Sequence, residues 1–150
     1  MSESTATTSH VTLRCPFCLT LNRVDLGAEG RPVCGKCKKP ILVDRPVRVE
    51  GEDFEKLIAD AEIPVLVDFY ADWCGPCKMM APAYEQAAGQ LEPRVRLAKL
   101  NTEVAQQTAG RFAIRSIPTI VLFDHGREIS RQSGAMNLPQ LVQWIEGHIK

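Results

Sequence analysis

The sequence predicts an α/β domain, a mixed central sheet flanked by helices, preceded by a small module held together by a metal ion. Three observations predict it. From residue 46 onward, apolar strand-like runs alternate with runs of helical spacing and end in a strand hairpin. The run Val65-Leu66-Val67-Asp68-Phe69-Tyr70 leads into Trp73-Cys74-Gly75-Pro76-Cys77 and then into a helical pattern over residues 78–91. Ahead of this lie two more Cys-x-x-Cys pairs, Cys15/Cys18 and Cys34/Cys37, with fifteen residues between Cys18 and Cys34.

In chain order, residues 1–9 are polar, rich in Ser and Thr, and expected to be disordered. Residues 10–45 form the cysteine module. It has few large apolar side chains, so metal ligation would supply its folding free energy. Asp44-Arg45-Pro46 reads as the junction, because proline cannot continue a ladder and constrains the residue before it. Residues 46–150 form the second domain. Val47-Arg48-Val49-Glu50 reads as a short strand. Residues 52–61 read as an amphipathic helix with Phe54, Leu57, Ile58 and Ala61 on one face. Pro64 opens the next strand, a position strands tolerate. The helix after the cysteine motif turns Met80, Ala83, Tyr84, Ala87, Ala88 and Leu91 inward and carries Pro82, which is expected to kink it. Residues 95–100 read as a strand and 103–112 as a weakly patterned helix. Residues 119–123 and 128–132 read as a hairpin around Asp124-His125-Gly126. Asn137 caps a last helix, with Pro139 in its first turn and Leu138, Leu141, Val142, Ile145 and Ile149 inward.

The bulk properties narrow the function. Hydrophobic content is 45% over 150 residues, that of a soluble globular protein. No apolar run reaches the length of a membrane span, and the start of the chain lacks the basic and apolar segments of a signal peptide. A cytoplasmic setting is expected, where thiols stay reduced. Residues 1–45 hold seven Lys/Arg against four Asp/Glu. Four thiolates and one Zn2+ would cut that surplus of three to one, too little for a phosphate-tracking surface, so no nucleic-acid partner is expected.

The cysteines carry the chemistry. Two thiols three positions apart at a helix start form a dithiol/disulfide couple. Free N–H groups and the helix dipole there stabilise a thiolate, the nucleophile of thiol–disulfide exchange. Cys74 lies nearer the helix start and is expected to be the more exposed, attacking thiol; Cys77 would resolve the mixed disulfide. The spacing of Cys15, Cys18, Cys34 and Cys37 matches a four-cysteine zinc site. Two structural disulfides are the competing reading, and nothing marks the chain for an oxidising compartment. Asp68 is a carboxylate inside an apolar strand. Burial would raise its pKa and make it a candidate general base for Cys77, unless it merely reaches solvent at a strand end. Lys99, in Leu97-Ala98-Lys99-Leu100, is its candidate ion partner from a neighbouring strand. His10, His125 and His148 stand in no nucleophile–base arrangement.

The run from Val67 to Pro82, the Ser116-Ile117-Pro118-Thr119 segment, Asp124-His125-Gly126 and Ser133-Gly134-Ala135 resemble the thioredoxin family over about residues 46–150. The front module resembles that of the zinc-bearing second thioredoxin type of bacteria. Tyr70 stands where many members have Trp, and Ser116 where many have Gly. The resemblance implies a thioredoxin fold and protein-disulfide reductase activity. It implies a cis bond before Pro118, where composition alone favours trans, and a shallow substrate groove lined by Trp73, Gly75, Pro76, Ile117, Pro118 and Gly134. It also implies one structural Zn2+, no bound organic cofactor, and electrons from NADPH through thioredoxin reductase. Oxidised proteins would be the substrates of a monomer. Two other classes compete: a zinc-ribbon binding module on a thioredoxin scaffold, and a disulfide donor or isomerase. Pro76 between the cysteines favours the reductant over the donor.

Overall fold

The computed structural model describes residues 10–27 and 30–149; the expected disorder of residues 1–9 falls outside them. Two strands, β1 (His10–Arg14) and β2 (Leu21–Asp25), form an antiparallel pair with His10 opposite Asp25. A five-stranded sheet follows, built from β3 (Val47–Arg48), β4 (Val65–Tyr70), β5 (Arg96–Asn101), β6 (Thr119–Asp124) and β7 (Arg127–Ser133). Its order is β3-β5-β4-β6-β7, with β3, β5 and β4 parallel and β6 and β7 antiparallel to their neighbours. The mixed sheet is therefore present, with helices α1 (Gly51–Ala59), α2 (Gly75–Leu91), α3 (Gln106–Arg111) and α4 (Leu138–Glu146).

The central strands are buried on both faces, so β4 and β6 read as continuous apolar runs. Alternation along β4 separates the two cores. Val65, Val67 and Phe69 join Phe54, Leu57 and Ile58 of α1, together with Val121 and Phe123. Edge-to-face packing of Phe54 against Phe69, Phe112 and Phe123 organises this side. Leu66 points the other way, to Met80, Tyr84, Ala88 and Leu91 of α2 and to Leu141 and Ile145 of α4. The Tyr84 hydroxyl lies 2.9 Å from the Leu66 carbonyl and 2.8 Å from that of Ala98, tying α2 to two adjacent strands.

The cysteine module shares the first of these cores. Leu13, Val24 and Ile41, with Cys15 and Cys34, belong to one buried cluster with Val47, Phe54, Val65 and Phe123. Hydrogen bonds tie β1 to the loop before β4: the Glu62 N–H donates to the Thr12 carbonyl at 3.0 Å, and the Thr12 N–H to the Glu62 carboxylate at 2.7 Å. Arg14 pairs with Asp60 at 2.5 Å.

Several element ends differ from expectation, each for a local reason. The expected helix 103–112 shortens to Gln106–Arg111. Thr102 donates its N–H to the Tyr70 carbonyl at 2.8 Å, and the Asn101 side chain accepts from the Glu103 N–H, so the chain stays in a turn there. The expected strand 47–50 pairs only through Val47 and Arg48, although the Val49 N–H still donates to the Lys99 carbonyl at 3.0 Å. In the hairpin, His125 and Gly126 have φ of 53° and 83°, the positive pair that a two-residue turn matched to strand twist requires. Pro82 lies inside α2 as expected.

Candidate active site and metal centre

Strand β4 ends at Tyr70, and the chain turns through Ala71 into α2. Cys74 is the N-cap of that helix: the Cys77 N–H points at the Cys74 sulfur at 3.2 Å. Pro76 in the first turn fits because its missing N–H would have had no partner there. The two cysteines form a disulfide, and each is 4% exposed. Exposure therefore does not separate them, contrary to expectation. The cap does: Cys74 receives the Cys77 N–H, a free donor of the first turn, which favours its thiolate once the bond is reduced.

Several of the residues expected to line the groove lie near the pair. The Ile117–Pro118 bond is cis, and the Ile117 carbonyl lies 3.7 Å from the Cys74 sulfur. Tyr70 and Ile117 pack against the pair. Trp73 is 66% exposed beside the disulfide, and its indole N–H donates to the Glu103 carboxylate. Sequence reasoning had no signal for Glu103, which reaches Trp73 only because the turn after β5 abuts the end of β4. Gly75 and Pro76 are exposed, and Gly134, with φ of 100°, donates its N–H to the Pro118 carbonyl at 2.9 Å.

Asp68 is 1% exposed on β4, directly opposite Lys99 on β5. Burial pushes its carboxyl up to about 7, and the charge of Lys99 moderates the rise. Among the described residues its Oδ1 has no hydrogen-bond partner. The pairing with Lys99 is looser than expected. No ion pair within 4 Å forms; the Lys99 ammonium instead rests 4.5 Å from the centre of the Tyr70 ring, a cation–π contact. Tyr84, from α2, also faces this carboxylate, and its hydroxyl is held well above the usual phenol range, chiefly by burial.

The other four cysteines come together. The Sγ atoms of Cys15, Cys18, Cys34 and Cys37 all lie within 4.8 Å of one another. The Cys15–Cys37 and Cys18–Cys34 separations are both 3.6 Å. Four thiolates at a zinc–sulfur distance of about 2.3 Å in a tetrahedron sit roughly 3.8 Å apart, so the cluster fits that ion. Backbone N–H groups of Phe17 and Lys36 point at the sulfurs of Cys15 and Cys34, at 3.4 and 3.3 Å. Backbone N–H groups, that of Cys37 foremost, draw the Cys34 thiol down to about 6. That of Cys37, against the pull of the Lys39 N–H, is pushed up to about 11 by burial and the neighbouring thiols, so these thiols titrate as one interacting cluster. The four are not bridged to one another here.

The thioredoxin family model matches residues 45–147. The chain belongs to the thioredoxin family. Thioredoxin C-3 of Corynebacterium nephridii is 39% identical over 137 residues, spanning 91% of this chain and 94% of that protein. That match runs into the cysteine module. Thioredoxin of Haemophilus influenzae is also 39% identical, over 69% of this chain and 96% of its own. Among solved structures, a point-mutant thioredoxin from Halobacterium salinarum is 33% identical, covers 71% of this chain and 93% of its own, and superposes with a TM-score of 0.64. As a thioredoxin, the chain is a thiol–disulfide oxidoreductase with Cys74 and Cys77 as its redox pair. No helix among the described residues is long and apolar enough to cross a membrane.

Proposed function

We propose that this thioredoxin is a cytoplasmic protein-disulfide reductase whose N-terminal cysteines hold one structural zinc ion. The observation that supports it most is the Cys74–Cys77 pair at the helix N-cap, beside a cis proline and following a strand that carries a buried carboxylate, Asp68. In the reduced enzyme the Cys74 thiolate attacks one sulfur of a substrate disulfide. A Cys74–substrate bond forms, the substrate S–S bond breaks, and the leaving sulfur departs as a thiolate that takes a proton from solvent. Asp68, with its pKa near neutrality, then accepts the Cys77 proton. The Cys77 thiolate attacks the Cys74 sulfur and expels the second substrate thiolate. The enzyme ends with the Cys74–Cys77 disulfide, and the substrate gains two electrons.

The remaining residues position the exchange. Lys99 tempers the Asp68 carboxylate. The Ile117 backbone, freed by the cis bond to Pro118, pairs with an extended substrate chain. Trp73, Gly75, Pro76 and Gly134 shape the groove. Cys15, Cys18, Cys34 and Cys37 hold the zinc, which supplies folding free energy to residues 10–45. Thioredoxin reductase would restore the dithiol with electrons from NADPH, and the protein works as a monomer without nucleic acid.

Insulin reduction coupled to NADPH and thioredoxin reductase tests this reading, repeated after zinc removal. Turnover should persist in kind without zinc. No turnover in the zinc-loaded protein would rule out the reductase, and an oxidising rather than reducing potential would favour a disulfide donor.

A further inference from the structure

Arg96 has a task that dithiol chemistry leaves unexplained. It is a charged side chain with no exposed surface, at the first position of β5 and opposite Val65. That is the end of the sheet away from Cys74. Its Nη1 donates to the Arg14 carbonyl at 2.7 Å and its Nη2 to the Ile41 carbonyl at 2.6 Å. Arg14 immediately precedes Cys15. Ile41 closes the other half of the module: its N–H donates to the Pro32 carbonyl at 3.2 Å, and within that loop the Cys34 N–H donates to the Lys39 carbonyl at 2.9 Å. One planar fork therefore grips both halves, one for each cysteine pair.

The grip is costly to build. Burying a guanidinium is strongly unfavourable unless its donors are met, and Nε has no partner among the described residues. Burial pulls the Arg96 pKa down to about 10, with the Glu92 and Cys15 charges acting the other way. The carboxyl of Glu92 is itself pushed up to about 7 by burial, with the Arg96 charge acting the other way. An aliphatic side chain would avoid this cost but take away the donors that meet the Arg14 and Ile41 carbonyls.

We propose that Arg96 is a positioning residue for the four-thiolate centre, holding the Arg14 and Ile41 carbonyls so that metal affinity and sheet stability become one linked quantity. The proposal rests on the zinc reading above. Linkage is reciprocal: whatever the sheet contributes to zinc binding, zinc contributes to the sheet.

The test is competition for zinc between the full reduced chain and a chromogenic chelator, for wild type, Arg96→Met and Arg96→Lys. Both variants should hold zinc about 10–100-fold more weakly, the usual effect of losing a group that orients a ligand. Lysine fails too, because one ammonium cannot span both carbonyls as a fork does. Wild-type affinity in either variant overturns the proposal while leaving the zinc reading intact. A wild type that binds no zinc removes both. Should Arg96→Met fail to fold, hydrogen exchange of the wild type decides. Zinc should slow exchange of the most protected amides of β4 and β5 at least tenfold, and no change there overturns the proposal.

Discussion

Asp68, the proposed base for Cys77, also bears on stability. Its pKa is about 7 in the fold against an ordinary value of 3.8. Between those values the folded chain keeps a proton that the unfolded chain has lost, so stability falls as pH rises through that window and stays low above it. Asp68→Asn should therefore stabilise the protein near pH 8, by on the order of 4 kcal/mol at most, and have almost no effect near pH 4. Urea unfolding at the two pH values measures this, and an equal effect at both would count against a buried, uncompensated carboxylate. The same variant should slow the Cys77 step more than the Cys74 step. Cys74→Ser should abolish turnover, and Cys77→Ser should accumulate mixed disulfides with oxidised proteins, visible by non-reducing electrophoresis. These residues were legible because each breaks a pattern: a carboxylate in an apolar strand, or paired thiols at a strand–helix junction. Arg96 also breaks one, as the charge in Val95-Arg96-Leu97. It reads as a solvent-facing strand residue until the module that covers it is in place.

At the scale of single elements, the sequence was most reliable where local chemistry closes on itself. Helix α4 is the clearest case. The Asn137 side chain accepts from the Gln140 N–H at 2.9 Å, and the Gln140 side chain accepts from the Asn137 N–H at 3.0 Å, a reciprocal capping box. Asn137→Ala should cost about 1 kcal/mol by thermal or chemical unfolding and leave insulin reduction unchanged. Strand β4 was legible to the residue, since burial on both faces leaves a continuous apolar run between Pro64 and the motif. Helix α3 was not, because its start depends on Thr102 bonding across to the end of β4 and on the Asn101 side chain holding the Glu103 N–H. The Lys99–Tyr70 contact was hidden for the same reason: nothing in either strand says that the ring, rather than Asp68, receives the ammonium.

For the whole molecule, the shared core changes what metal loss should do. A module folded by metal ligation alone would leave residues 46–150 with a core of their own. Instead Leu13, Val24 and Ile41 pack in one cluster with Phe54, Val65 and Phe123. Removing zinc with a chelator should leave the sheet folded but less stable, lowering the melting temperature of the entire chain. Ile41→Ala should cost about 2–5 kcal/mol and act on one cooperative transition followed by far-UV circular dichroism. Two separate transitions, with only the first shifted, would show that the module stands apart. Apolar spacing alone could not reveal this union, because it reports which residues want burial and not which neighbour buries them.

The borders of the five-stranded sheet bear on how this protein meets others. A sheet border is a row of unsatisfied amides and carbonyls that invites another chain to add a strand. Here one border is β3, two residues long and entered through Pro46. The other is β7, which carries Arg127, Glu128 and Arg131 and has an irregular register opposite Leu122 and Phe123. Short length, charge and irregularity all discourage indiscriminate strand addition. A reductase of the kind proposed, which would greet many misoxidised chains and let each one go, is served by such unwelcoming flanks. On that proposal encounters would be left to the exposed Trp73 and its neighbours, where contact ends when the sulfur bond is exchanged.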